Sequence, residues 1–273
     1  MPELPEVETV CRGLRPKLVG RKIVSIRYHR PNLRFPFPKQ LPKRAANLTI
    51  TDVTRHSKYI LIHLSDKSRI LLHLGMSGRL SFHPAKSYTR DTHDHVVITL
   101  NRGPLLIFND ARRFGVLDDI LPHRSHRLLD TLGLDPFDPT LTPAQLHDMA
   151  SRLRCDLKAF LMNQKYIAGL GNIYVSEALF RARLLPTRIA NRLTLAEAKK
   201  LLPAIRKTLD AAITAGGSSL RDYVQVDGEL GYFQDKHLVY GREDQPCPRC
   251  KTPITRIIQA GRSSFMCEGC QKQ

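Results

Sequence analysis

The sequence predicts an α+β protein with a β-rich first half, a helical middle and a metal-binding hairpin at its end. Short apolar or alternating runs fill roughly the first 130 residues. Capped helical patterns occupy about 143 to 217. Two C-x2-C pairs close the chain.

One helix opens the first half. Pro5 suits a first helical turn, and Val7, Val10, Cys11, Leu14 and Leu18 recur at helical spacing. Strands are expected from Ile23 to Tyr28, Leu48 to Val53, Tyr59 to Leu64, Ile70 to Leu74, Val96 to Leu100, Leu105 to Phe108 and Phe114 to Leu117. No long helical pattern intervenes, which is the signature of an antiparallel sandwich or barrel. Asp135 to Pro139 then reads as a stiff, extended linker. Thr142 is an expected N-cap with Pro143 at the first helical position. Helical patterns follow from Pro143 to Arg154, Asp156 to Ile167 and Asn172 to Arg183. Thr194-Leu195-Ala196-Glu197 is a capping box for a further helix, ended by Gly216-Gly217 and expected to kink at Pro203. Beyond Gly217 strands are expected again, with Asp227-Gly228 as a hairpin turn.

Charge narrows the function. The 273 residues include 43 Lys and Arg against 25 Asp and Glu, a net charge of +18. Basic residues are dispersed along the chain, as on a folded surface that meets a polyanion, most commonly nucleic acid. No apolar run approaches the roughly 18 residues of a membrane span. The acidic, proline-rich start is unlike a secretory signal, so a soluble, unexported protein is expected.

Cys247-Pro248-Arg249-Cys250 and Cys267-Glu268-Gly269-Cys270 each point two thiolates at one ion. Two such knuckles on a hairpin complete a tetrahedral zinc site, Cys247, Cys250, Cys267 and Cys270, with no open position, so the metal is structural. Disulfides are the weaker reading without an export signal. Cys11 and Cys155 fall on helical apolar faces and are expected to be small buried hydrophobes. Arg256, Arg262 and Phe265 between the knuckles suit a phosphate backbone or, alternatively, a solvated face.

The first residues carry chemistry of their own. If Met1 is removed, Pro2 presents a secondary amine, with an unperturbed α-amino pKa of about 7.7–8.0. Its attack on a sugar C1′ gives an iminium with no N–H to lose, which stays an electron sink for later eliminations. Glu3 is an acid beside it. The alternative is a rigid start with a dipole-favoured acid near a helix N-terminus.

Pro2-Glu3-Leu4-Pro5-Glu6-Val7-Glu8-Thr9, followed by Arg12-Gly13-Leu14, resembles the opening of bacterial formamidopyrimidine-DNA glycosylases. The resemblance continues through His73-Leu74-Gly75-Met76-Ser77-Gly78, His93-Asp94-His95 and Asp110-Ala111-Arg112-Arg113-Phe114-Gly115. It extends to Gly169-Leu170-Gly171-Asn172-Ile173-Tyr174, Tyr240-Gly241-Arg242 and the four-Cys finger, in order along the whole chain. Ala111 stands where a proline is often found.

The resemblance implies an N-terminal antiparallel β-sandwich with a flanking helix, then a helix–two-turn–helix domain with a β-hairpin zinc finger, and DNA in the cleft between the halves. It divides the chain into a catalytic domain, 1–132, a linker, 133–142, a helix–two-turn–helix domain with a lesion-covering loop, 143–235, and the finger, 236–273. It implies removal of oxidised purines such as 8-oxoguanine and formamidopyrimidines from duplex DNA, followed by β,δ-elimination at the abasic site. The catalytic residues so implied are Pro2 as nucleophile, Glu3 as the acid that assists sugar opening, Lys58 in phosphate binding and β-elimination, and Arg262 in δ-elimination. DNA-binding roles fall on His73, His93 and Asn172, and on Arg152 or Arg154. Met76, Arg112 and Phe114 match the residues that fill the void left by a flipped nucleotide. From pattern alone Met76 and Phe114 also suit a core, Asn172 a helix–helix turn, and His93 with His95 a metal. One structural zinc, damaged duplex DNA as partner, a monomer and a bacterial cytosolic location complete the expectation. A relative preferring oxidised pyrimidines, as endonuclease VIII does, is disfavoured by Leu4 and Glu-Val-Glu-Thr. A non-enzymatic zinc-ribbon binder leaves the N-terminal and Arg-Arg-Phe-Gly motifs unexplained.

Overall fold

The computed structural model describes residues 1–219, 226 and 228–272. The chain forms two compact units, Met1–Asp130 with Ala215–Tyr232, and Thr131–Thr214 with Phe233–Gln273. Asp227 of the expected hairpin turn, and 220–225 of the expected lesion-covering loop, lie outside the described residues.

Unit 1 contains α1 (Leu4–Leu18), β1 (Ile23–Tyr28), α2 (Leu41–Ala45), β2 (Ile50–His56), β3 (Tyr59–Leu64), β4 (Arg69–His73), β5 (Arg79–His83), β6 (Asp94–Leu100), β7 (Leu105–Asn109) and β8 (Val116–Ile120). The strands make two antiparallel four-stranded sheets, ordered β1-β6-β7-β5 and β2-β3-β4-β8. The strand pairing thus makes two sheets and not one closed barrel. Ile60, Ile62, Ile70, Leu72, Leu106 and Phe108 share one core with Val7, Val10, Cys11 and Leu14 of α1. The intervening Leu61 and Leu71 join a second cluster with Val116 and Ile120, and Leu105 and Ile107 a third with Val97. A period of two sends successive side chains to opposite faces, so both faces of the central strands are covered.

Two elements go beyond the sequence reading. In β5, Arg79-Leu80-Ser81-Phe82-His83 has only two apolar residues, too few to register as a strand, yet it pairs with β7 in full register. The short α2 packs near β1. The last strand of the unit is displaced by two residues. Phe114 lies outside β8 and is half exposed, at 49%, because Arg113 takes a positive φ of 61° and Gly115 breaks the extended run.

Unit 2 contains α3 (Pro143–Ser151), α4 (Leu157–Met162), α5 (Asn172–Ala182), α6 (Leu195–Thr214) and the hairpin β9 (Thr255–Gln259) and β10 (Arg262–Met266). The Thr194 capping box forms as read, and the Thr142 N-cap proves to be a capping box too. The Thr142 hydroxyl accepts from the Gln145 N–H at 3.2 Å while Gln145 accepts from the Thr142 N–H at 2.9 Å. Thr194 and Glu197 repeat the exchange at 3.3 and 2.9 Å. Each such cap is worth about 1 kcal/mol. Phe160, Tyr174, Phe180 and Phe233 are fully buried, and α6 runs unbroken through Pro203.

Some expectations are corrected. Helix α4 ends at Met162, well short of Ile167, because Gln164 organises a turn instead. Its Oε1 accepts from the Gly169 N–H, and its Nε2 donates to the carbonyls of Met162 and Leu170, each at 2.8 Å. Cys155 lies exposed in a bend before α4, not on a buried helical face. Cys11 is buried on α1 as expected. Among the described residues after Gly217 no strand occurs before β9, only the isolated bridges Ser218–Tyr232 and Pro246–Pro253. The Asp135 to Pro139 stretch is held against the helices: the Arg206 guanidinium donates to the carbonyls of Pro136, Asp138 and Leu141 at 2.7 to 3.1 Å. No helix among the described residues is long and apolar enough to cross a membrane.

Candidate active site and zinc finger

In unit 1 the chain start is ordered by a carboxylate. Pro2, Glu3 and Glu6 are buried behind a half-exposed Met1. Glu6, at the third position of α1, accepts from the Glu3 N–H and from the Ser218 N–H, both at 2.8 Å. One buried carboxylate thus fixes the backbone of Glu3 and the first turn of the Gly/Ser loop. Burying it is tolerable because backbone donors near a helix N-terminus replace its hydration.

Lys58 sits in the tight β2–β3 turn, where Ser57 has φ 56°, and is buried. Arg55 ties this turn to α1, donating to the Ser57 carbonyl at 3.1 Å and to Glu8 at 3.1 Å. His73 ends β4 opposite Tyr59 in the register, their rings 4.9 Å apart. Burial, then the charges of Lys58 and Arg34, lower its pKa to about 4, so the ring is neutral at pH 7. The Gly75 N–H donates to Nδ1 at 3.0 Å, which leaves the ring proton on Nε2 as a donor.

Met76, Arg112 and Phe114 stand on two loops organised by Asp110, which is fully buried. Its Oδ1 accepts from the Ser77 hydroxyl at 2.7 Å, and its Oδ2 from the Gly115 N–H at 2.7 Å. The Ser77 oxygen in turn accepts from the Arg112 N–H at 2.9 Å. Gly75 has φ 63°, and a Cβ there would lie 2.5 Å from the Phe114 carbonyl carbon, so a side chain would push the loops apart. The result presents Arg112 and Phe114 outward, the guanidinium carbon 5.3 Å from the ring centre, with Met76 partly buried beside them. A core role for Phe114 is excluded by its exposure. His93 is exposed, and its carbonyl accepts from the Asp110 N–H at 3.0 Å. The His95 ring instead bonds the Asp110 carbonyl at 2.9 Å, and the two histidines are in no metal-type cluster among the described residues.

In unit 2 a second set of groups converges on the hairpin. Asn172 opens α5 and donates through Nδ2 to the Ser263 carbonyl at 2.9 Å. The buried Lys158 ammonium donates to the same carbonyl at 2.9 Å and to the Ser264 hydroxyl at 2.6 Å. Gln259 donates to Asp156 at 2.8 Å. The hairpin tip, with exposed Arg262, is therefore fixed beside the N-terminus of α5, whose backbone N–H groups suit an anion. Arg152 is engaged with Asp148 at 2.8 Å, both largely exposed; Arg154 is exposed. From the other side, Glu177 accepts from the N–H groups of Leu238, Val239 and Tyr240 at 2.9 to 3.0 Å and seats the segment leading to the finger.

The four finger sulfurs lie within 4.8 Å of one another, with Cys250 to Cys267 at 3.4 Å and Cys247 to Cys270 at 3.8 Å. Tetrahedral zinc with about 2.3 Å Zn–S bonds requires sulfurs near 3.8 Å apart, so the donor set fits. A Cβ on Gly269 would lie 2.8 Å from Thr252 Oγ1 and 3.2 Å from Cys250 Sγ, which keeps that knuckle closed only with glycine.

Three family descriptions match along the chain: the formamidopyrimidine-DNA glycosylase N-terminal domain over residues 1–117, the H2TH domain of the same enzymes over 132–224, and the zinc finger found in FPG and IleRS over 244–273. The chain belongs to the formamidopyrimidine-DNA glycosylase family. A formamidopyrimidine-DNA glycosylase of Cereibacter sphaeroides is 49% identical over 284 residues, covering all of both chains. The crystal structure of MutM (Fpg) from Thermus thermophilus superposes with a TM-score of 0.89 at 38% identity, covering 99% of this chain and 98% of that one. A MutM structure in complex with DNA containing carbocyclic 8-oxo-G gives 0.90 at 33% identity over all of both chains. The finger of this glycosylase family member holds one structural zinc through Cys247, Cys250, Cys267 and Cys270.

The sequence reading missed the residues that hold these glycosylase motifs in place. Glu6 and Asp110 fall inside quoted motifs, but nothing in the pattern says which backbone groups they accept. Lys158 carries no sequence signal beyond a lysine on a helix with apolar neighbours. Only its burial identifies it as a brace.

Proposed function

We propose that this chain excises oxidised purines from duplex DNA through a covalent intermediate on Pro2, then cuts the strand by β,δ-elimination. As a family member it is a DNA-repair glycosylase with abasic-site lyase activity, acting on damaged DNA in base excision repair. The observation that carries the finer reading is the start of α1: a buried Pro2 behind a half-exposed Met1, with Glu3 and Glu6 beside it. Removal of Met1 exposes a secondary amine, which attacks C1′ while the base departs. Glu3 protonates the opening sugar, and the iminium draws electrons through the β- and δ-eliminations. Lys58 and neutral His73 supply donors for the phosphate nearby, and Lys58 assists β-elimination. Arg262, with Asn172 at its side, binds phosphate and assists δ-elimination. Met76, Arg112 and Phe114 fill the space of the flipped nucleotide. His93 and, of the two candidates, the less engaged Arg154 contact the backbone, with Arg152 the alternative. The division 1–132, 133–142, 143–235 and 236–273 is retained as a functional one. A monomer working in the bacterial cytosol, away from membranes, fits this chemistry.

The test is at the chain start. An uncleavable N-terminal extension converts the Pro2 nitrogen to a tertiary amide without a nucleophilic lone pair. Excision and borohydride trapping on a lesion duplex are expected to vanish, while affinity for an abasic-site analogue falls about tenfold or less, roughly 1.4 kcal/mol. If the extended protein, verified intact by mass, traps as well as the free form, the nucleophile is internal and Lys58 is the next to test.

A further inference from the structure

Beside the Lys58–His73 end of its sheet, unit 1 carries a cationic feature that no motif above includes. The tight turn 32–36 closes with an Asn32–Pro36 bridge. Within it the Leu33 N–H donates to the Phe35 carbonyl at 3.1 Å, and the Arg34 N–H to the Gly115 carbonyl at 3.2 Å. That carbonyl belongs to the residue after Phe114, so the turn is fastened to the Arg112–Phe114 loop. The Phe35 ring packs on Leu61, Leu71, Val116 and Ile120, the outer face of the sheet. Two guanidinium groups flank this ring, Arg34 at 5.5 Å and Arg127 at 4.7 Å from its centre.

Both arginines are exposed, and neither takes part in an ion pair among the described residues. The adjacent acids of β8 are already engaged: Asp118 with His126 at 3.2 Å, and Asp119 with Arg44. The pair is thus an uncompensated double charge, pre-oriented by one aromatic ring. The charge of Arg34 also reaches the site: it adds to the burial and the Lys58 charge that lower the His73 pKa, and it opposes the burial that raises that of Tyr59.

We infer that Arg34 and Arg127, stacked on Phe35, form a phosphate clamp for the DNA backbone next to the phosphate taken by Lys58 and His73. The inference rests on the proposed function, because it assumes that this face meets DNA. Planar guanidinium groups held on an aromatic face lose little freedom when they bind phosphate, and they bind it through two parallel N–H groups. Each strand carries a phosphate every 3.4 Å or so along the axis, so a surface that seats one at Lys58 meets its neighbours within a side-chain length. The competing role, two arginines that only shield an apolar sheet face with their stems, is an outcome of the test.

Arg34→Gln and Arg127→Gln, singly and together, are compared with the wild-type chain for binding an abasic-analogue duplex from low to high salt. The same duplex is then used with single phosphates flanking the lesion replaced by neutral methylphosphonates. Each substitution is expected to reduce the slope of log affinity against log salt by about 0.9. One flanking methylphosphonate should weaken the wild type several-fold and leave the double variant unaffected. A double variant that keeps the wild-type salt slope and responds to every methylphosphonate as the wild type does overturns the clamp and leaves the shielding role. If instead the wild type itself binds the lesion duplex without salt dependence, the DNA-repair reading fails, and the clamp with it.

Discussion

Unit 1 sets its functional groups on loops of a sandwich with a large apolar core, whereas unit 2 must bring a helix start and a small finger to one place. In unit 1 the Met76, Arg112 and Phe114 loops emerge from strands whose inner faces share the main cluster, and Asp110 and Glu6 fix the loop backbones. The finger has only a small cluster, Phe180, Val239, Ile254 and Phe265 with Cys247 and Cys267. It is seated by Lys158 on one side and Glu177 on the other. A core of that size cannot hold a hairpin alone, and metal closes the deficit. The comparison teaches that the first unit resists local damage, while the finger of the second depends on one ion and a few buried charges.

The largest expected effect breaks the second region alone. Structural zinc in small fingers contributes roughly 10–16 kcal/mol of apparent binding free energy. Cys247→Ser should lower affinity for abasic duplex by on the order of a hundredfold or more, while hydrogen exchange of the β3 and β7 amides stays slow. Normal DNA binding by the zinc-free variant would show that the finger does not hold the DNA-binding half together.

Arg112→Ala acts on the first region without disturbing its core, because the arginine is exposed and only its backbone is bonded to Ser77. Discrimination between a lesion opposite cytosine and one opposite adenine, read as the ratio of kcat/KM, should shrink by about 1–3 kcal/mol. An unchanged ratio would make Arg112 a scaffold residue.

The smallest effect is a pH dependence. His73 has a folded pKa of about 4 against an ordinary value near 6.5. Between the two the unfolded chain binds the extra proton, so stability falls as pH drops from about 6.5 to 4, by at most about 1.4 kcal/mol per unit and less where water reaches the ring. Denaturant unfolding at pH 7.5 and 5 should show the loss, and His73→Gln should lessen it. Equal pH dependence in the variant would locate the titration elsewhere.

Much of this was legible in the residue order. Periodicity located most strands of unit 1, because burial on both faces leaves continuous apolar runs such as Ile60-Leu61-Ile62. The Thr142 and Thr194 caps could be read because capping is local. The zinc ligands could be read because a knuckle brings two thiolates together within four residues. Other features depend on partners distant in sequence. Strand β5 is a strand because β7 supplies its hydrogen bonds, and α4 stops early because Gln164 finds Gly169 and Leu170. Phe114 is exposed because Asp110 bonds the Gly115 N–H instead of leaving it to a strand. Arg34 and Arg127, 93 positions apart in the numbering, meet only on Phe35. The sequence by itself determined the α+β class, the finger chemistry and the motifs that mark the family, all encoded in short-range spacing. Only the tertiary structure decided which buried carboxylates and lysines hold those motifs still, because a buried charge is placed by the backbone groups that replace its water, and those come from anywhere in the chain.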